Sequence, residues 1–422
     1  MERMSESIIE KSVAGGRLFL ARTGVKDLVY LEGSVLGGWN MLPRRKGEVS
    51  VLAAELFDAG TKKKGKDAIR EALASRGATL SFSSGDERTY FRGSCLPEDV
   101  SHLLSVLVEC LGEAAFPASE VKSAMERIRG ELVEEKSDTR VQAGIAFSRL
   151  VYDPSHVNYD ETTEERIRDL AKVERADLMS FKKMIGRGGL VIAVVGDIDT
   201  AKVAQAVETA FARLPAGTPE APAKEMNTKQ PEVLTQHVSI ADKANVDVFL
   251  GAAVPLTYND PLFLPFIVTT EMLGGRGFTS HLMSTIRERD GLTYGVYARP
   301  SGFTGGGDGA FKVWATFSPA RYDESVAALR REIDIFFKGG ITKKKLEERK
   351  EEMSGLYVVG LSTTRGLAAA LHQIGRRHRD LSYIDDYITL LHAITVKDLQ
   401  DAADLIPLQK LSLAAAGTFP NT

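Results

Sequence analysis

Apolar runs at Arg17 to Ala21 and Leu28 to Gly37 predict two strands, and Ala68, Ile69, Ala72 and Leu73 at helical spacing predict a helix over 67–75 that stops at Gly77. Ala78 to Ser84 and Thr89 to Leu96 are again strand-like. Pro97 then opens a helix whose Val100, Leu103, Leu104, Leu107 and Leu111 form one apolar stripe. Strands and helices alternate without the strict rhythm of a doubly wound parallel sheet. The pattern therefore predicts an α+β fold, in which one helical layer covers a mostly antiparallel sheet.

The same pattern returns at a fixed offset. Leu170, Val173, Asp177 and Leu178 recur 221 residues later as Leu391, Ile394, Asp398 and Leu399, and the run Leu190 to Gly196 recurs as Leu411 to Gly417. Ser119 and Thr342 each stand where a charged helix would begin and fit N-caps. Between the repeats, Pro215, Pro219, Pro222 and Pro231 among small and charged residues predict an extended linker. The chain thus parses into homologous halves at 1–214 and 232–422 joined by a linker at 215–231, with a cleft between halves as the natural ligand site.

Composition narrows the function classes. The 422 residues are 43% hydrophobic, which suits well-buried cores, and 54 basic against 57 acidic residues leave a net charge of -3. No large field is available to attract nucleic acid or anionic lipid. Cys95 and Cys110 are too few for a disulfide framework and fit buried free thiols. The acidic N-terminal residues lack the pattern of an export signal, and no run of about 18 uncharged apolar residues is present. A cytoplasmic protein is the expectation.

The seven histidines, His102, His156, His237, His281, His372, His378 and His392, show no metal-ligand spacing; His372 and His378, the nearest pair, would face different sides of a helix. There is no nucleophile elbow and no phosphate-binding loop ending in Lys and Thr. Gly305-Gly306-Gly307-Asp308-Gly309 fits a hairpin connection, and Gly274 to Gly277 a helix-entry turn, with Thr279 or Ser280 capping a helix that carries Leu282 and Ile286. Lys62-Lys63-Lys64 and Lys343-Lys344-Lys345 fit solvated helix starts.

Four features together resemble the insulinase/pitrilysin family, in its shorter, processing-peptidase-like branch, over nearly the whole chain. They are Leu56-Phe57-Asp58-Ala59-Gly60-Thr61, Val195-Gly196-Asp197-Ile198-Asp199, the proline linker, and Arg287 followed by Gly291-Leu292-Thr293-Tyr294-Gly295-Val296. The resemblance implies two homologous α+β halves arranged as a clamshell, with peptide added as a strand along a sheet edge. Active members carry an inverted zinc motif, His-x-x-Glu-His, just before the Gly-Thr pair and a further Glu downstream. Here those positions are Val51, Ala54 and Glu55, and no histidine precedes His102. Glu131 stands at about the third-ligand position, as a remnant of a lost ligand or as an ordinary solvated helix glutamate. No metal is expected in this chain. Arg287 and Tyr294 match the residues by which family members hold substrate near zinc, with Tyr294 expected on a strand beside Leu292 and Val296.

These features imply a non-catalytic, substrate-binding subunit of a heterodimeric zinc metallopeptidase. It would pair with a homologous chain that carries His-x-x-Glu-His and the zinc, and would act on unfolded peptides. The alternative is a structural scaffold or a peptide-binding homodimer of the same fold. No nucleic acid or membrane partner is implied.

Overall fold

The computed structural model describes residues 3–43, 46–218, 226–275, 279–304 and 307–419. Pro219 and Pro222 of the expected linker, Gly277 of the glycine-rich run, and Gly305 and Gly306 lie outside the described residues. Strands β1 (Ile8–Val13), β2 (Gly16–Arg22) and β3 (Val29–Leu36) open the chain, followed by α1 (Gly47–Leu56), α2 (Lys66–Ala74), β4 (Thr79–Ser84) and β5 (Arg88–Cys95). Helices α3 (Val100–Glu113), α4 (Ala118–Glu135), α5 (Thr139–Val151), α6 (Thr163–Leu170) and α7 (Arg175–Met184) precede β6 (Val191–Gly196) and α8 (Thr200–Phe211). Then come β7 (Thr235–Ser239), β8 (Val246–Val254), α9 (Phe263–Gly274), a π-helix (Met283–Arg289), β9 (Val296–Ser301) and β10 (Gly309–Phe317). Helices α10 (Tyr322–Ile335), α11 (Lys343–Leu361), α12 (Thr364–Arg376), α13 (Tyr383–Ala393) and α14 (Val396–Ala403) lead to β11 (Ser412–Gly417).

The chain forms two compact units, each built from separate segments. Unit 1 gathers Met1–Gly130, Glu165–Pro222 and Gly355–Thr389; unit 2 gathers Glu131–Glu164, Ala223–Ser354 and Leu390–Thr422. A linear division at 1–214 and 232–422 misses this exchange, which assigns α5 to the second sheet and α12 to the first. The apolar stripe of α12, Leu367, Ala368, Leu371 and Ile374, packs on Phe19, Ala21, Val191, Ala193 and Val195. A stripe shows that a helix is covered but not which sheet covers it.

Unit 1 holds a sheet in the order β1-β2-β6-β3-β5-β4, and unit 2 one in the order β7-β11-β8-β10-β9. Without β1 the two match strand for strand. In each, the last strand of the repeat runs parallel to one neighbour, β2 or β7, and antiparallel to the other, β3 or β8. The glycines that end β6 and β11, Gly196 and Gly417, both have positive φ, 146° and 151°. A Cβ on Gly196 would stand 2.1 Å from the Leu28 carbonyl oxygen, and one on Gly417 would stand 2.6 Å from that of Asn245. Only glycine tolerates both the backbone angle and the approach.

Helices cover both faces of each sheet, so the expected single helical layer is corrected. Strand β6 is buried at every position, and a strand with two covered faces reads as continuous apolar sequence. In unit 1, α12 covers one face while Phe211 of α8 meets Phe91 on the other, ring centroids 5.9 Å apart. In unit 2, Phe147 of α5 packs on Phe249, and α9 lies so close to β9 that a Cβ on Gly274 would meet the Ala298 amide at 2.4 Å. Thr342 caps α11 by accepting from the Lys345 amide at 3.3 Å, as expected. Ser119 instead falls inside the first turn of α4, which begins at Ala118. Cys95 and Cys110 are buried free thiols. Among the described residues no helix is long and apolar enough to cross a membrane.

Candidate functional site

Helix α1 is where the resemblance places the inverted zinc motif. Its buried positions include Leu52, Ala53 and Ala54, and the helix packs against β4, with Phe57 just beyond it 5.5 Å from Phe82. Val51 and Ala54 offer hydrocarbon where a ligand and a general base would stand. Glu55 is spent on an ion pair with Arg127, one turn before Glu131 on α4. A guanidinium held on the carboxylate opposes a second cation at that position. Glu131 itself is exposed. Among the described residues no three His, Cys, Asp or Glu side chains are grouped to hold a metal. Zinc needs three such donors, so the residues at this position do not fit it. The purified chain is expected to carry well below one zinc per molecule by elemental analysis after dialysis, and stoichiometric zinc would overturn this.

Five of the seven histidine side chains have partners away from this position. His156 meets buried Asp308 at 2.9 Å, His237 the Tyr322 hydroxyl at 2.9 Å, and His372 the Ser34 hydroxyl at 2.8 Å. His102 contacts the Ala72 carbonyl and His392 the Ser354 hydroxyl. These are structural contacts.

Arg287 and Tyr294 lie in unit 2, on and just after the π-helix. This helix buries Ile286, with Leu282 buried ahead of it, as the apolar spacing predicts. Its wide form was not legible in the spacing. The expected cap is corrected: the Ser280 hydroxyl is buried without a hydrogen bond, and the Thr279 hydroxyl lies 3.3 Å from Arg349 and 3.5 Å from Glu352. The ends of the segment are held instead by Glu332 of α10. It accepts from Arg289 at 2.8 Å and Arg331 at 3.2 Å, and His281 Nε2 lies 3.2 Å away in poor hydrogen-bond geometry. Burial opposes the charge on Glu332, but the donors outweigh it and hold the carboxyl below its ordinary range. An acidic residue beside Arg330 and Arg331 gave no sequence signal of this role.

Gly291, with φ of 59°, turns the chain out of the π-helix. Arg287 is half-buried in its last turn. Tyr294 does not sit on a strand, because β9 begins only at Val296; it stands in the preceding loop with 93% of its surface exposed. The loop is nevertheless pinned. Thr293 is buried, and its hydroxyl lies within hydrogen-bond distance of the Gly295 and Thr316 carbonyls and accepts from the Gly295 amide at 3.1 Å. A tyrosine held out by a fixed loop has no packing role, and its hydroxyl is available to a ligand.

An α+β chain whose helix at the zinc-motif position has neither the histidines nor the general base defines a class, the inactive metallopeptidase homologues. Residues 49–146 match the family model described as Insulinase (Peptidase family M16), and residues 172–353 match that described as Peptidase M16 inactive domain; the chain belongs to this family. It is 24% identical to a protein of Streptomyces coelicolor named an uncharacterized zinc protease, over 96% of this chain and 88% of that one. It is also 24% identical to the non-peptidase homolog YmxG of Helicobacter pylori, over 76% of this chain and 72% of that one. Among solved structures, a peptidase M16 inactive domain from Pseudomonas fluorescens superposes with a TM-score of 0.86 at 20% identity, covering 97% of this chain and 98% of that one.

Proposed function

We propose that this chain is the non-catalytic, substrate-holding subunit of a heterodimeric zinc peptidase, whose partner carries the His-x-x-Glu-His motif. The observation that carries the reading is Tyr294, fully presented on a pinned loop seven residues beyond Arg287, in a chain whose own zinc-motif helix has no histidine. Arg287 offers several fixed donors and Tyr294 one hydroxyl, which suits them to hold peptide carbonyls while the partner's metal polarises the scissile bond. Zinc belongs to that partner; no step of hydrolysis runs through this chain. Strand β4 supports peptide binding, since it is an edge strand with no proline and no charged residue in Thr79–Ser84. Edges are usually blunted by such residues, and an unblunted edge can accept an extended peptide as an added strand. Substrates are then unfolded peptides.

The test is to mix the chain with a catalytic homologue and follow turnover of an unstructured peptide. Arg287→Ala and Tyr294→Phe are each expected to lower kcat/KM by roughly 10-fold or more, with folding unchanged. If both variants leave turnover unchanged, the role assigned to the pair is wrong and the scaffold reading takes its place.

A further inference from the structure

The face of the unit 2 sheet covered by α5 continues past that helix onto β9 and β10. There Tyr297 and Trp314 pair across the strands with ring centroids 5.0 Å apart. Three cations surround them. The Arg140 guanidinium lies 4.3 Å from the Trp314 ring and donates to the Tyr297 hydroxyl at 2.6 Å, and that of Arg299 lies 4.7 Å from the Tyr297 ring. Lys312 sits two residues before Trp314 on β10, directly opposite Arg299, with its ammonium 5.1 Å from the Phe249 ring.

Like charges directly opposite on one sheet face repel. Among the described residues none of the three cations has a carboxylate within ion-pair distance. Asp160 favours the Lys312 charge only from further away, and Asp247 is occupied by the Trp314 indole at 2.7 Å and Asn245 at 2.7 Å. Burial, with Arg140 adding to it, pushes the Lys312 amine below its ordinary range.

Unit 1 carries an ion pair on the corresponding face of its sheet. Glu32 lies between Ala193 of β6 and Arg92 of β5, and it accepts from Arg92 at 3.1 Å. The residue in the equivalent place in unit 2, between Ala414 of β11 and Trp314 of β10, is Phe249. Two residues before Trp314 on β10, unit 2 carries Lys312 opposite Arg299 where unit 1 has Tyr90 opposite Ser83, so the unit 2 face adds two cations and has no carboxylate in the place of Glu32.

We propose that Arg140, Arg299 and Lys312, set around the Tyr297–Trp314 pair, form a binding face for an acidic peptide segment, whose carboxylate lies against Arg299 and Lys312 and supplies the negative charge that this face lacks. Arg299 forks onto the carboxylate, Lys312 adds a point charge beside it, and the two rings cover the flanking apolar atoms of the segment. Pro300 and Arg299 blunt the β9 edge against strand addition, so the contact is by side chains on the sheet face. The proposal rests on the peptide-holding reading for its class of ligand, but it is tested on the chain alone.

Intrinsic fluorescence reports directly, because Trp314 and Trp39 are the two tryptophans. The chain is titrated at low salt with an acetylated, amidated peptide containing three glutamates, with its glutamine isostere, and with the glutamine peptide bearing a free C-terminal carboxylate. The glutamate peptide is expected to bind at least about 10-fold more tightly than the amidated glutamine peptide and to weaken with added salt. Binding of the free-carboxylate peptide in place of the glutamate peptide would assign the ligand to a chain terminus. Lys312→Met, which keeps the apolar stem, and exposed Arg299→Glu should each abolish the discrimination with an unchanged Tm. Equal affinity for all three peptides, or discrimination that survives both variants, overturns the proposal; neither result bears on turnover by the Arg287 and Tyr294 variants.

Discussion

Acidification from pH 7 to pH 4.5 is expected to narrow the stability gap between the wild-type chain and a His372→Gln variant by about 2.5 kcal/mol. His372 is buried on the α12 face of unit 1, where burial, then Arg88, Arg376 and Arg92, push its pKa down to about 3. The hydrogen bonds around it are compatible with the neutral ring. Arg88 Nε donates to the Ser34 hydroxyl at 2.7 Å, and that hydroxyl, whose own proton is left for the ring, lies 2.8 Å from His372 Nε2. Glu32, the nearest carboxylate, is 4.0 Å from the other ring nitrogen, too far for a hydrogen bond. The sign follows from proton binding: between about pH 6.5 and 3 the unfolded chain takes up a proton that the folded chain refuses, so stability is lost as pH falls through that window. Urea unfolding of both proteins at several pH values measures it. Parallel curves would show that His372 is not held neutral.

Asp247→Ala is expected to cost about 3–5 kcal/mol, the largest stability effect of a polar substitution in unit 2. Asp247 is 3% exposed and accepts from the Trp314 indole, the Asn245 amide and the hydroxyl of Thr139, the first residue of α5. Alanine leaves a partly buried indole N–H and a buried hydroxyl without their acceptor and frees the start of α5 from the sheet. Asp247→Asn keeps one acceptor and should lose about half as much. Guanidinium unfolding followed by fluorescence checks both values; a loss below about 1 kcal/mol for the alanine variant would mean that water replaces the carboxylate.

Part of the candidate site was legible before the fold was known. The absence of His before His102 already excluded the inverted zinc motif, and the run from Arg287 to Tyr294 marked the segment that the structure presents. The strand placement of Tyr294 was not right, because alternation with Leu292 and Val296 describes burial and not backbone pairing. Leu292 is buried in the turn that leaves the π-helix, where its amide donates to the Ile286 carbonyl at 3.0 Å, and the ladder starts only at Val296. The Glu55–Arg127 and Glu332–Arg289 pairs were illegible for a simpler reason. Charged residues are common on helix surfaces, and only packing selects which of them meet.

The sequence by itself determined the repeat and the elements that carry it. Local periodicity and the two strand-ending glycines report on backbone geometry within a few residues, and such signals survive without knowledge of the fold. Only the tertiary structure decided that α5 and α12 exchange sheets, that Tyr294 stands exposed while Thr293 anchors it, and that Phe249 occupies the sheet position where unit 1 places Glu32. Each of these depends on residues far apart in the chain, brought together by burial of apolar stripes that many partners would satisfy equally well in sequence.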